Sequence, residues 1–299
     1  MGRRARKIAS VQPAINGSDP ASETDDQKDD DLQEQEAEER RSPSGKVVYQ
    51  AVMKEADEEL DRSSSALFWS GLAAGLAMGF SFIAEGVLKH GLPDTQWAPL
   101  VVKLGYSVGF VIVILGRQQL FTENTLTPIL PLLQRKDRET LVNVMRLWGL
   151  VLLANLLGAL VVAWVMTRTA AFDADIKQEF LALGHEGMTH SFGVVVLRAI
   201  FAGWLIAILV WMLPYAESSH FFVIVMITWM IGAGHFPHVI AGAVKVFALG
   251  WAGEKPWGMI VGAFLVPTLI GNVIGGVTIV AALNHAQVTA GEADSDGGK

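Results

Sequence analysis

Two histidines, His235 and His238, stand either side of Phe236 and Pro237 in the run WMIGAGHFPHVIAGAVKVF, Trp229 to Phe247, which is otherwise almost wholly apolar. Imidazole donates, accepts and exchanges a proton near neutral pH, so such a pair could bind an anion, relay a proton or ligate a metal. The metal reading is the weakest. Two ligands at i and i+3, with no cysteine in the chain and no carboxylate set beside them, make a poor site. Neither a metal nor a cofactor is expected. Pro237 withdraws a backbone donor, and Gly232, Gly234 and Gly242 loosen the rest, so a spanning helix should break over 234–242. Irregular backbone at membrane depth survives only inside protein or beside a cavity, and ionisable groups there are functional candidates. The plainer reading of His238 is a buried ring that satisfies carbonyls freed at the break.

Other polar residues interrupt apolar runs. GRQQLFTENT, Gly116 to Thr125, brings Thr122 and Glu123 into the second run, and Arg117 and Glu123 there tie a loop down or lie near its mouth. Arg198, in VVVLRAI, is costly inside a span unless paired or wet. The expected arrangement is a structural ion pair with Glu85 or Glu123; the alternative is a positive field for a pore. His185 and His190 read as external-loop residues.

These residues need a membrane body to hold them. The chain of 299 residues is 51% hydrophobic, with mean hydropathy +0.37. Residues 1–62 carry 16 acidic and 10 basic groups, which is −6 of the chain's −7. A charged tail therefore precedes a nearly neutral apolar body. Residues 1–45 are too polar to bury enough surface and are expected to be disordered, as are 286–299. VVYQAVMKEADEELDR, Val47 to Arg62, suits a short polar helix with Val48, Val52 and Leu60 on one side, lying on the membrane or crossing solvent. The opening GRRARK is followed by an acidic run, which argues against a nucleic-acid partner. Without cysteine, the redox compartment stays open.

Six spans follow, in a channel domain over 63–285. They cover about 66–88, 98–115 resuming at LTPILPLL after the first interruption, 141–166, 190–213, 221 onward through the His–Pro break, and 258–283. Ser63–Ser65 caps the first, and Gly71, Gly75 and Gly158 suggest close packing of the first against the third. Six crossings return both termini to one side. Lys46, Lys54, Arg62, Arg135, Lys136 and Arg138 face Lys89, Lys103, Arg168, Lys177 and Lys255, a margin of six to five. The dense RKDR cluster favours the cytoplasm for the side of the termini. Because the second and fifth spans are both broken, the fold expected is an all-α membrane protein of two inverted three-helix repeats with a pathway between them.

With these features the chain resembles the formate/nitrite transporter family of pentameric, aquaporin-like anion channels. The resemblance covers about residues 65–285 and is carried by LFTENT at the first break, HVIAG at the second and PTLIGNVIGG in the last span. GHFPH and the acidic extension are similar to a less-studied branch with a long charged N-terminal extension. The resemblance implies a homopentamer in the inner (plasma) membrane, not an enzyme, that moves a small monovalent anion or its weak acid. It implies a central pore histidine, matched by His238 with His235 the runner-up, and Thr122 facing it. Leu120 and Phe121 match residues that narrow the pore, Tyr106, Phe110 and Ile231 match collar positions, and Asn272 matches the asparagine of the last span. Three positions depart from the pattern. The family's lysine before the fourth span is absent, with Gly187 at its place and Glu186 beside it; Pro237 replaces an acidic residue; Gly203 replaces an asparagine.

Helix ends at the breaks would carry unpaired amides and a positive dipole end, which favour a small anion without a full charge. Apolar collars would strip water and strengthen those dipoles. His238 and Thr122 would supply hydrogen bonds, or the imidazole could protonate the anion so that it crosses as the neutral acid. The missing lysine and Glu186 suggest an alternative, a neutral small-solute pore. A scaffold or receptor acting through the acidic tail is the other. A membrane enzyme would need converging carboxylates or a metal cluster, and the spans offer too few.

Overall fold

The computed structural model describes residues 45–279. The tails at 1–44 and 286–299, and the end of the sixth span, fall outside the described residues. Among the described residues, five helices are long and apolar enough to cross a membrane. Two shorter apolar helices, separated by the His–Pro segment, supply the remaining crossing.

The first crossing is α2 (Ser64–Ala77) and α3 (Gly79–Gly91), started by Ser63, whose hydroxyl accepts from the Ala66 amide. After α4 (Ala98–Leu115) comes an irregular segment and the short α5 (Ile129–Arg135). The third crossing, α6 (Arg138–Arg168), is capped by Asp137, which accepts from the Thr140 amide at 2.8 Å. Next come α7 (Ala174–Glu186), α8 (Phe192–Met212), α9 (His220–Ala233), α10 (Val239–Ala252) and α11 (Trp257–Ile279). Close helix approach follows the glycines. A Cβ at Gly75 would lie 2.2 Å from the Asn155 carbonyl oxygen, and one at Gly158 would lie 2.6 Å from that of Leu72.

Three features add to the sequence reading. The segment before the fourth span is a helix, α7, because ADIKQEFLALGHE has an apolar side. It buries Phe180 and Leu183, and the Phe180 ring meets Phe82 at 5.2 Å. The helix of 45–60, α1, is docked on the membrane body. Val52, Ala56 and Leu60 are buried against the body, Arg146 donates to the Leu60 carbonyl at 2.7 Å, and Thr127 donates to Glu59 at 2.8 Å. Lys103, counted above among the charges that set orientation, lies well inside α4 and is 6% exposed.

The two interruptions share one construction. Each helix ends in a reversed turn in which the fifth residue of the turn lies in the left-handed region: Arg117 (φ 48°) after α4 and His235 (φ 50°) after α9. Gln118 N–H bonds the Val113 carbonyl and Arg117 N–H that of Ile114; Phe236 N–H bonds Ile231 and His235 N–H bonds Gly232 in the same pattern. Gly116 and Gly234 remain helical, and Gly242, expected within the break, is one turn inside α10. The first break has Gln119 where the second has Pro237, so the proline follows a helix that has already ended. It does not end it.

Candidate functional site

One asparagine per half holds each broken segment in place. Asn155, on α6, accepts from the Phe121 amide at 2.9 Å and donates to the carbonyls of Gly71 (2.7 Å) and Gln119 (2.9 Å). Asn272, on α11, accepts from the Val239 amide at 2.8 Å and donates to the carbonyls of Ala199 and Pro237, each at 2.9 Å. Both are fully buried. Asn272 is thus spent on backbone and does not line the cavity described below, unlike the pore role expected for it. Its counterpart Asn155 carries no family motif quoted above and was missed; only its isolation in an apolar helix marked it.

Held this way, the two segments bring Thr122 and His238 together. Thr122 Oγ1 and His238 Nε2 are 2.6 Å apart. His238 is also the N-cap of α10, its Nδ1 accepting from the Ala241 amide at 3.1 Å. That bond needs a lone pair on Nδ1, so the network assigns the single N–H of a neutral ring to Nε2, facing Thr122. Two of the amides expected to be free at this helix end are in fact taken: Val239 by Asn272 and Ala241 by His238. The Ile240 amide between them, the helix dipole, the Thr122 hydroxyl and the imidazole N–H are left.

Apolar side chains surround this pair. The Phe110 ring stands edge-on to the imidazole at 5.0 Å, and Tyr106 meets Phe110 at 5.3 Å. Leu120 and Phe121 are buried, with Phe121 edge-on to Trp148 at 5.9 Å. Thr122, His238, Phe110, Leu120 and Phe121 are each at most 2% exposed, so the passage is closed to water at this level.

A cavity of about 400 Å³ opens above the pair on the face that carries α7. His238, Tyr106, Ile231 and His235 line it, together with Lys103, Lys245 and Arg198. His235 lies nearer the mouth and is exposed. Glu186, Gly187 and His190 form part of the wall, so the position of the absent family lysine is at this mouth. Arg198 pairs with neither Glu85 nor Glu123. It donates to the carbonyls of Gly234 (2.9 Å) and His235 (3.3 Å), neutralising the negative end of α9 where helical acceptors are left over. Glu85 is instead held by Lys103 Nζ at 2.9 Å and lies 2.5 Å from Lys245 Nζ, an approach that is close but not directed as a hydrogen bond. Glu123 stays at the first break with one carboxylate oxygen buried and unbonded. Lys245 was missed, although it lies two turns beyond His238 on one helix, a spacing that puts both on one face.

Among the described residues, no group of histidine, aspartate and glutamate is arranged to hold a metal. The formate/nitrite transporter family profile matches residues 46–286. The inner membrane protein YfdC of Escherichia coli (strain K12) is 38% identical over 254 residues, covering 85% of this chain and 82% of that protein. The formate channel BtFdhC of Bacillus thuringiensis is 27% identical over 243 residues, covering 78% and 91%. A solved pentameric formate channel with formate bound has the same fold, with a TM-score of 0.63 at 20% identity over 76% of this chain and 98% of that one. The profile match and the Escherichia coli relative settle the family: this chain is a multi-pass membrane protein of the formate/nitrite transporter family, a family of channels and not of enzymes.

Proposed function

We propose that this protein is a channel for a small monovalent anion or its weak acid, of formate or nitrite size, with His238 as the hydrogen-bond donor at its narrowest point. The observation that carries the reading is the Thr122–His238 contact at the closed floor of the cavity. A neutral imidazole whose Nδ1 is spent on a helix cap has one proton to offer, at Nε2. Donating a hydrogen bond from it costs nothing further, whereas giving the proton away would leave an imidazolate in an apolar site. The donor role is therefore favoured over the relay. Tyr106 and Ile231 line the approach from the cavity, and Leu120 and Phe121 form the collar beyond the pair. His235 acts at the mouth and Asn272 positions the loop. The named formate channels among its relatives support the substrate class, and the pentameric solved relative supports a homopentamer. An inner-membrane relative and the RKDR cluster beside α6 support an inner-membrane location with the α1 face in the cytoplasm.

The test is formate flux into proteoliposomes. His238→Phe keeps a ring of related shape and should assemble, with flux lower by about 10- to 100-fold, the worth of a hydrogen bond to a charged solute. His238→Gln retains an N–H donor and should keep more flux than His238→Phe. Equal loss in both variants would favour the relay; wild-type flux in His238→Phe would remove His238 from the mechanism.

A further inference from the structure

Three charged side chains from three helices meet inside the membrane body: Glu85 of α3, Lys103 of α4 and Lys245 of α10. Glu85 Oε1 accepts from Lys103 at 2.9 Å, and Glu85 Oε2 lies 2.5 Å from Lys245 Nζ. A second carboxylate, Glu186, stands 3.6 Å from Lys103 Nζ and accepts from Lys89 at 3.2 Å, but it is 41% exposed at the rim. Lys245 Nζ also lies 5.2 Å from the centre of the Tyr106 ring and 5.9 Å from that of Phe82.

The three do not face the cavity equally. The Glu85 side chain is 0% exposed and is not among the lining residues, while those of Lys103 and Lys245 are 7% and 14% exposed and do line it. A solute above His238 therefore touches ammonium groups and never the carboxylate between them. Two cations around one anion leave the buried trio at +1. Each ammonium has three donors, so N–H groups remain after Glu85 is served. In surroundings of low dielectric such an excess acts strongly on a neighbouring ion. A purely structural ion pair needs one lysine.

We propose that Lys103 and Lys245, with Glu85 as their buried counter-charge, form an anion-recruiting site in the cavity, directly above the Thr122–His238 pair. The site supplies from inside the pore the positive charge that the loop at Gly187 lacks, and it selects singly charged small anions over neutral solutes of the same shape. It rests on the anion-channel reading above and names the residues that give that channel its charge preference. Removing the loop lysine is then no argument for a neutral-solute pore, because the charge has a different carrier.

The enclosed charge can be stepped without touching His238. Lys245→Met takes the trio to zero, Glu85→Gln takes it to +2, and the double variant Glu85→Gln/Lys245→Met returns it to +1. Flux of formate and of formamide, its neutral isostere, is measured on the full chain in proteoliposomes at low solute concentration, after size-exclusion chromatography shows an assembled oligomer. Lys245→Met should slow formate about tenfold while formamide changes by less than about twofold. Glu85→Gln should speed formate at low concentration, and the double variant should regain most of what Lys245→Met lost. If Lys245→Met does not assemble, Lys103→Met and Glu85→Gln/Lys103→Met make the same steps and should give the same order. Formate and formamide falling together, or a double variant no better than the lysine variant alone, would show the trio to be structural and overturn the proposal. Wild-type protein that passes formamide but not formate would overturn the anion-channel reading itself, and this site with it.

Discussion

Asn155 and Asn272 each spend one buried amide on an N–H and a carbonyl of a broken segment and on one carbonyl of a neighbouring helix, Gly71 of α2 or Ala199 of α8. The arrangement is economical because an asparagine offers an acceptor and two donors in one plane, and each break presents one amide and one carbonyl within reach. Leucine has a similar volume and none of these groups. Asn155→Leu and Asn272→Leu should each destabilise the detergent-extracted protein by about 3 kcal/mol or more, since several buried polar groups lose their partner at once. Thermal unfolding checks this. Because the clamp also positions Thr122 or His238, formate flux should be lost even at temperatures where either variant remains folded. A stable, conducting Asn272→Leu would mean that the loop holds its shape without the clamp.

The pairing of helices in each half depends on glycine at a few close approaches. At Gly203 on α8, a Cβ would stand 2.4 Å from the Asn272 carbonyl oxygen on α11 and 3.0 Å from the Gly276 amide. The matching contact in the other half is Gly75 of α2 against Asn155 of α6. This explains a departure from the family pattern: with the backbones this close, the asparagine expected at 203 has no room. Gly203→Asn, which restores the family residue, should therefore lower stability by about 1–3 kcal/mol through overpacking. It should also disturb Asn272, and through it the α10 cap, so flux should fall with stability. Gly203→Ala makes the smaller intrusion and should show the smaller loss in the same thermal scan.

At the scale of the whole molecule, the protein is open on one face and shut on the other. The cavity reaches His238 from the α7 face. Toward the α1 face, Leu120 and Phe121 are buried, and α1 is fastened over the first interruption through Glu59, which accepts from Thr127 at 2.8 Å and Gln119 at 3.2 Å. Burial pushes the Glu59 carboxyl up to about 7, with Glu55 adding to the rise and the bonds from Thr127 and Gln119 opposing it. The docked helix therefore holds a proton that the undocked one releases above the ordinary carboxylate range. Docking is strongest below pH 4.5, weakens as pH rises through about 7, and is constant beyond, a span of about 3 kcal/mol. Protection of the α1 amides from hydrogen exchange, corrected for the intrinsic base-catalysed rate, should be higher at pH 5.5 than at pH 8, and Glu59→Gln should remove the difference. Equal protection at both pH values in the wild type would mean that Glu59 is ionised in place. Outward-facing apolar residues such as Trp69, Phe222 and Val142 need a bilayer or neighbouring subunits to cover them.

Composition and periodicity alone determined a membrane body behind a charged tail, the number of crossings and the two that are broken. The reason is physical: the cost of unpaired backbone in lipid permits few arrangements of long apolar runs, and a polar interruption in such a run shows directly in the sequence. The residues at the breaks were legible for the same cause, and the motifs around Thr122 and His238 named which of them to look at. The cause of the breaks was not legible. Pro237 drew attention as the breaker, whereas the reversed turns at Arg117 and His235 depend on backbone geometry that no residue type announces. Partner choice was equally hidden. Arg198 turned to two carbonyls instead of a carboxylate, and Lys103, within the second span, turned to the cavity wall. Glu85 took two lysines from helices far apart in sequence. An apolar run shows that a charge must find a partner; only packing α3, α4 and α10 side by side decides which one, because that choice is set by distances of a few ångströms across helices.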